Sequence, residues 1–202
     1  MSRSSPATTG DPEYYARRGY FSFRSPYSWL LHRRLARLDA AQSDRTQWLP
    51  FFEGRTFEHI ARIPSAPTGL GCSPVTVAQR GESPKPDWDK PHLAVLAVPA
   101  RQRAAFIDAI FRTRWVEGDD VCDPRVLCEL AGGIGAAAAV AESAENAAVL
   151  GVARVLRYQA CLDGAFGVPY LVISGQLRWG LDQVCRAIDD PASIGEMSRP
   201  AC

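Results

Sequence analysis

The four residues Ser25-Pro26-Tyr27-Ser28 carry two hydroxyls at positions i and i+3. Serine is among the best residues to begin a helix, and proline suits the first helical position, where a missing N–H costs nothing. The quartet therefore marks a turn into a helix. It sets the Ser25 hydroxyl beside backbone N–H groups that have no partner within the helix. Such a point can hold an anion, a thiolate included. The simpler assignment is that Ser25 only caps the helix, and these four residues leave both assignments open. Sulfur at the two positions could cycle between dithiol and disulfide. Oxygen cannot, so dithiol redox chemistry is excluded at this turn.

Other chemistry-bearing residues are fewer. Asp182 follows Trp179-Gly180-Leu181, in the first turn of an expected helix, where a carboxylate also serves simply to complement the helix dipole. His32, His59 and His92 have no partner at catalytic spacing, and His32, beside Arg33 and Arg34, reads as part of a solvated face. Gly132-Gly133-Ile134-Gly135 follows no strand and precedes no lysine, so it is a helix stop rather than a phosphate loop. Cys72, Cys122, Cys128, Cys161, Cys185 and Cys202 are scattered without a CxxC pair. They read as reduced thiols, and no metal site is expected.

Stepping outward from Ser25, Arg18 to Phe23 is an alternating aromatic strand, and Leu31, Leu35 and Leu38 form a helical stripe behind the serine. A second strand is expected at Thr46 to Phe52. From Glu53 to about Lys90 the prolines break every pattern, and a long loop with a short helix near Thr56 to Ile60 is expected. Helices follow at Val98 to Val116, after the cap Asp123, and from Ser143, with Glu145 in its first turn, to a stop at Gly164. Tyr170 to Ser174 and Leu177 to Trp179 form a hairpin around Gly175-Gln176, and Leu181 to Ile188 a last helix. This order predicts an α/β chain, a thioredoxin-like fold with an inserted all-α domain. The expected boundaries are a disordered leader 1–16, a discontinuous thioredoxin-like domain 17–52 and 160–192, an inserted helical domain 53–159 and a loose tail 193–202. In that layout the Val168-Pro169 bond, just before the hairpin, is expected to be cis and to face the Ser25 turn. It would leave the Val168 backbone free to pair with an extended ligand. A trans proline opening a strand is the alternative.

Phe21-Ser22-Phe23, Ser25-Pro26-Tyr27-Ser28, Trp115-Val116-Glu117-Gly118-Asp119-Asp120, Gly164-Ala165-Phe166-Gly167-Val168-Pro169 and Arg178-Trp179-Gly180-Leu181-Asp182 together resemble one family over roughly residues 18 to 190. It is the 2-hydroxychromene-2-carboxylate isomerase family, relatives of the kappa-class glutathione transferases and the DsbA-like proteins. The chain differs from the family at Ser22, where Asp is usual, and at Gln183, where Arg is usual. The resemblance implies a site for glutathione or another low-molecular-weight thiol. Ser25 faces its sulfur, the Val168 backbone beside Pro169 pairs with its cysteinyl part, and Asp182 meets the γ-glutamyl end near Trp179. Arg24, Tyr27 and Ser28 are the expected substrate contacts. The implied activity is cis-trans isomerisation of an unsaturated carbonyl compound, from aromatic degradation or polyketide-type biosynthesis. The alternatives are a kappa-like glutathione transferase, or a glutathione-independent biosynthetic or non-catalytic thioredoxin-fold protein.

Bulk properties agree with a small-molecule enzyme. With 202 residues and 47% hydrophobic content, the chain can bury a full core. Its 23 basic and 22 acidic residues give a net charge of +1, which provides no field for a nucleic acid. The most apolar stretch, Ile134 to Ala141, is far short of a membrane span, and the N-terminus lacks a signal-peptide pattern. A cytoplasmic protein is expected, and the resemblance implies a homodimer.

Overall fold

The computed structural model describes residues 17–38, 46–52, 86–173 and 175–189. The expected leader, the tail, and most of the 53–90 loop with its short helix lie outside the described residues. Strand β1 (Arg17–Phe21) leads through a tight turn to helix α1 (Pro26–Leu35) and strand β2 (Gln47–Pro50). β1 ends two residues earlier than expected because the Ser25 N–H donates to the Ser22 carbonyl at 3.1 Å and turns the chain. A run of helices follows: α2 (Asp89–Ala97), α3 (Ala100–Arg112), α4 (Pro124–Gly132), α5 (Ala137–Ala141) and α6 (Ala147–Leu162). Strands β3 (Tyr170–Ile173) and β4 (Gln176–Trp179) and helix α7 (Leu181–Asp189) complete the order.

The strands form one sheet in the order β2-β1-β3-β4, with β1 and β2 parallel and the other pairs antiparallel. This is a thioredoxin-like sheet interrupted by a helical insertion. All four residues of β3 are buried, and their side chains alternate between two cores, as the strand period requires. Tyr170 and Val172 pack with Tyr20, Leu49, Phe51 and Ala160. Leu171 and Ile173 pack with Leu31 of α1 and with Val184, Ala187 and Ile188 of α7. A strand covered on both faces reads as an unbroken apolar run, which is why Tyr-Leu-Val-Ile signals it. At the end of β1 and just beyond it, Phe21, Phe23 and Trp29 join Val95, Phe106, Ile110, Phe111 and Trp115 in a single core shared with the helices.

The helices correct several expectations. α2 was unexpected because Pro91 reads as a breaker. It is the third residue of the helix, where its missing N–H is one that no helical carbonyl would have bonded. The helix expected from Val98 starts at Ala100, after Pro99. Its end widens into a π-turn over Thr113–Glu117, closed by the Gly118 N–H on the Thr113 carbonyl at 2.9 Å. Gly118 has a φ of 83°, a left-handed conformation that glycine adopts without strain. α6 is opened by Asn146 rather than Ser143. The Asn146 Oδ1 accepts from the N–H groups of Ala148 and Val149, whereas the Ser143 hydroxyl donates to Val140. Glu145 therefore precedes the helix instead of lying in its first turn.

One polar node joins the end of α6 to the sheet. Asp163 receives Nε and an Nη of Arg18, both at 2.7 Å, the Tyr20 hydroxyl at 2.5 Å and the Gln159 amide at 3.0 Å. Burial opposes its charge, but the bonds from Arg18 and Tyr20 outweigh burial and hold the carboxyl below its usual range. Among the described residues no helix is long and apolar enough to cross a membrane.

Candidate functional site

Ser25 occupies the N-cap of α1 with extended backbone (φ −87°, ψ 119°), followed by Pro26. Its Oγ accepts the Ser28 N–H at 3.2 Å and donates to the Val168 carbonyl at 3.4 Å. The Val168-Pro169 bond is cis, and this hydroxyl contact brings it to the Ser25 turn, the juxtaposition expected from the sequence. No acidic side chain stands in the first turn of α1, so no carboxylate of α1 itself offsets the positive end of the helix dipole.

The neighbouring positions divide into rim and interior. Arg24 is exposed and Tyr27 is half-exposed, both on the rim. Ser28 is buried, and its Oγ accepts the Ser22 N–H at 3.3 Å. The Ser22 Oγ in turn accepts the Arg24 N–H at 3.3 Å. Ser22 and Ser28 thus stitch the turn together with hydroxyls. On the opposite side, the Gly180 N–H donates to the Pro169 carbonyl at 3.0 Å, tying the cis bond to the end of β4. Trp179 packs against Phe166 in a tilted arrangement, with ring centroids 4.8 Å apart and planes at 54°. A Cβ on Gly167 would come within 2.9 Å of the Trp179 indole nitrogen, so this close approach requires glycine. Asp182 lies in the first turn of α7, partly buried, one turn beyond Trp179.

Two histidines have roles that the sequence did not signal. His92 is 1% exposed, and its Nε2 accepts the Phe23 N–H at 3.4 Å. Its ring stacks on Phe23 at 5.2 Å. From the π-turn, Trp115 Nε1 donates to the carbonyl of the same Phe23 at 3.1 Å. Both polar groups of Phe23, two residues before Ser25, are therefore held by the helical insertion. Burial pushes the His92 pKa down to about 3, opposed by the Trp88 backbone and reinforced by the charge of Arg157, so His92 is a neutral positioning residue. His32 is not part of a solvated face. Its Nε2 lies 2.9 Å from Asp108 Oδ1 on α3, and its ring stacks on Phe111 at 4.9 Å. Both residues line a cavity of about 390 Å³ between α1 and α3. His59 lies outside the described residues.

Among the described residues no group of His, Cys, Asp and Glu could hold a metal ion. Among the described residues Cys122, Cys128, Cys161 and Cys185 are not joined in disulfides. Cys122 is buried, and burial, with Asp120 and Asp87 adding, raises its pKa to about 12, which makes it inert.

The model of the DSBA-like thioredoxin domain matches residues 18–187. A solved structure of 2-hydroxychromene-2-carboxylate isomerase is similar at 19% identity and a TM-score of 0.63, covering 88% of this chain and 95% of that one. A Pseudomonas aeruginosa DsbA variant is similar at 15% identity and a TM-score of 0.56, covering 92% and 89%. Another structure of Pseudomonas aeruginosa DsbA gives 14% identity and a TM-score of 0.52, covering 95% and 88%. Comparison with curated protein sequences finds no match.

Proposed function

This chain belongs to the DSBA-like thioredoxin domain family, and from that premise we propose that it is a thiol-dependent isomerase of unsaturated carbonyl compounds. The observation that carries the proposal is the Ser25 hydroxyl at the N-terminus of α1, whose first turn holds no acidic side chain, 3.4 Å from the carbonyl beside the cis proline. When bound, glutathione or another small thiol supplies a thiolate that adds reversibly to the conjugated double bond, letting the bond turn, and it is recovered unchanged.

The chain's own residues have to hold that sulfur as an anion. A free thiol ionises near pH 8.5, and lowering its pKa by two units takes roughly 2.7 kcal/mol. One charge-assisted hydrogen bond contributes about 1.5–3 kcal/mol, and a helix N-terminus about 0.3–1 kcal/mol more. Ser25 supplies the first by turning its hydroxyl from Val168 to the sulfur, and the first turn of α1 supplies the second. The Val168 backbone orients a peptide-like thiol, with Asp182 and Trp179 at its far end. Arg24 and Tyr27 stand on the rim where a substrate carboxylate or ring enters.

The comparison that tests this is turnover of 2-hydroxychromene-2-carboxylate with and without glutathione, together with a thiol titration before and after. Support is isomerisation that requires the thiol and consumes none of it. Net consumption would make the protein a transferase. Isomerisation unchanged without any thiol would overturn the proposal.

A further inference from the structure

The cavity between α1 and α3 has features of a binding site that the Ser25 turn does not explain. Of the Ser25-Pro26-Tyr27-Ser28 quartet, only Ser28 reaches it. At about 390 Å³ it falls in the range of small-molecule pockets. Its walls are apolar: Trp48 and Phe21 from the sheet, Leu31 and Leu35 from α1, Ile107 and Phe111 from α3. Two exposed alanines, Ala36 and Ala104, line it from facing elements.

Besides Ser28, two polar features interrupt these walls. Asp108 accepts from His32 Nε2, which fixes the tautomer and leaves Nδ1 as an acceptor in the neutral ring. Among the described residues the indole Nε1 of Trp48 is a buried donor without a hydrogen-bond partner, a rare condition in folded proteins. A wall of this composition suits a flat apolar body with one hydroxyl. We propose that the cavity between α1 and α3 binds a hydroxylated aromatic ring, whose hydroxyl donates to the His32–Asp108 pair. The proposal is independent of the thiol site, since it needs neither Ser25 nor Val168.

Calorimetric titration of the whole protein, without thiol, with 2-naphthol and with 2-methoxynaphthalene tests it. The second probe has the same rings and no hydroxyl proton. The wild type is expected to bind 2-naphthol saturably at one site, at least tenfold tighter than the methyl ether. His32→Leu should bring the two affinities within about threefold, by weakening 2-naphthol alone. Ala104→Trp, at an exposed position where the fold tolerates bulk, should abolish both. Equal affinities in the wild type, no saturable binding, or unchanged binding in a folded Ala104→Trp variant would each overturn the proposal. The two probes and the alanine variant decide the matter even if His32→Leu does not fold.

Discussion

Replacing His92 by glutamine tests the clamp on the Ser25 turn through its pH dependence. The imidazole is buried and accepts from Phe23, so the folded protein holds it neutral. Its pKa falls from an ordinary 6.5 to about 3, chiefly through burial. Between these values the unfolded chain binds a proton that the folded chain refuses, so the unfolded state gains stability as the pH falls. The His92 contribution is therefore complete above pH 6.5 and is eroded below it. From pH 7 to pH 5 the loss is about 2 kcal/mol, and any folded pKa below about 4 gives the same figure. For a chain of this length that is roughly 4–8 °C in Tm. Glutamine can accept from the Phe23 N–H but does not titrate. His92→Gln should therefore lose about 2 kcal/mol less than the wild type over the same interval, whatever constant offset repacking adds. Urea unfolding followed by circular dichroism at pH 7, 6 and 5, at fixed ionic strength, measures both slopes. Equal slopes would mean that the folded protein protonates the ring, and the clamp as described would be wrong.

Three further outcomes are expected. Ser25→Ala removes one hydroxyl bond to the sulfur, so kcat/KM at saturating thiol should fall roughly 10- to 100-fold. The lost cap should cost only about 1 kcal/mol in the unfolding midpoint, and a lowered midpoint with full turnover would leave Ser25 as a cap alone. Insulin disulfides should not be reduced at the rate of a Cys-Pro-x-Cys protein, because Ser25 and Ser28 carry no sulfur; a matching rate would refute this. Asp163→Asn should cost about 2–3 kcal/mol at neutral pH, because it removes the anion from a largely buried pair. The Asp163 pKa is depressed in the fold, so its contribution is present above about pH 4 and lost as the pH drops through the folded value. The difference between variant and wild type should shrink there in acid denaturation curves.

Local signals were legible in the sequence where one residue settles the backbone. Ser25-Pro26 and Asp123-Pro124 start helices as read, because cap and proline act within one turn. Strand β3 was legible because it is buried on both faces and reads as an unbroken apolar run. Pro91 and Ser143 misled for the same reason in reverse. Each residue type has a strong average preference, and its actual place, third in a helix or closing a previous turn, depends on neighbours several residues away. The contacts that build the site are longer in range still. His92 meets Phe23 across 69 residues and His32 meets Asp108 across 76, and no periodicity links such pairs. The π-turn at Thr113–Glu117 also escaped, since one extra residue in a helix leaves the apolar pattern almost unchanged.

The Asp163 node sets an order for the protein's synthesis. Arg18 and Asp163 are 145 residues apart, and β1 lies between β2 and β3 in the sheet. On a ribosome, at about 5–20 residues per second, the chain from Arg18 to Asp163 takes on the order of ten to thirty seconds to make. Through that interval β1 can pair with β2, but its other edge has no strand to take. An unpaired strand edge is a template for wrong partners. The helical insertion is complete before β3 emerges, and its core already holds Phe21 and Phe23. It can therefore steady the waiting edge of β1, so a nascent chain stalled before Phe106 to Trp115 have emerged should depend on chaperones more than one stalled just after Leu162.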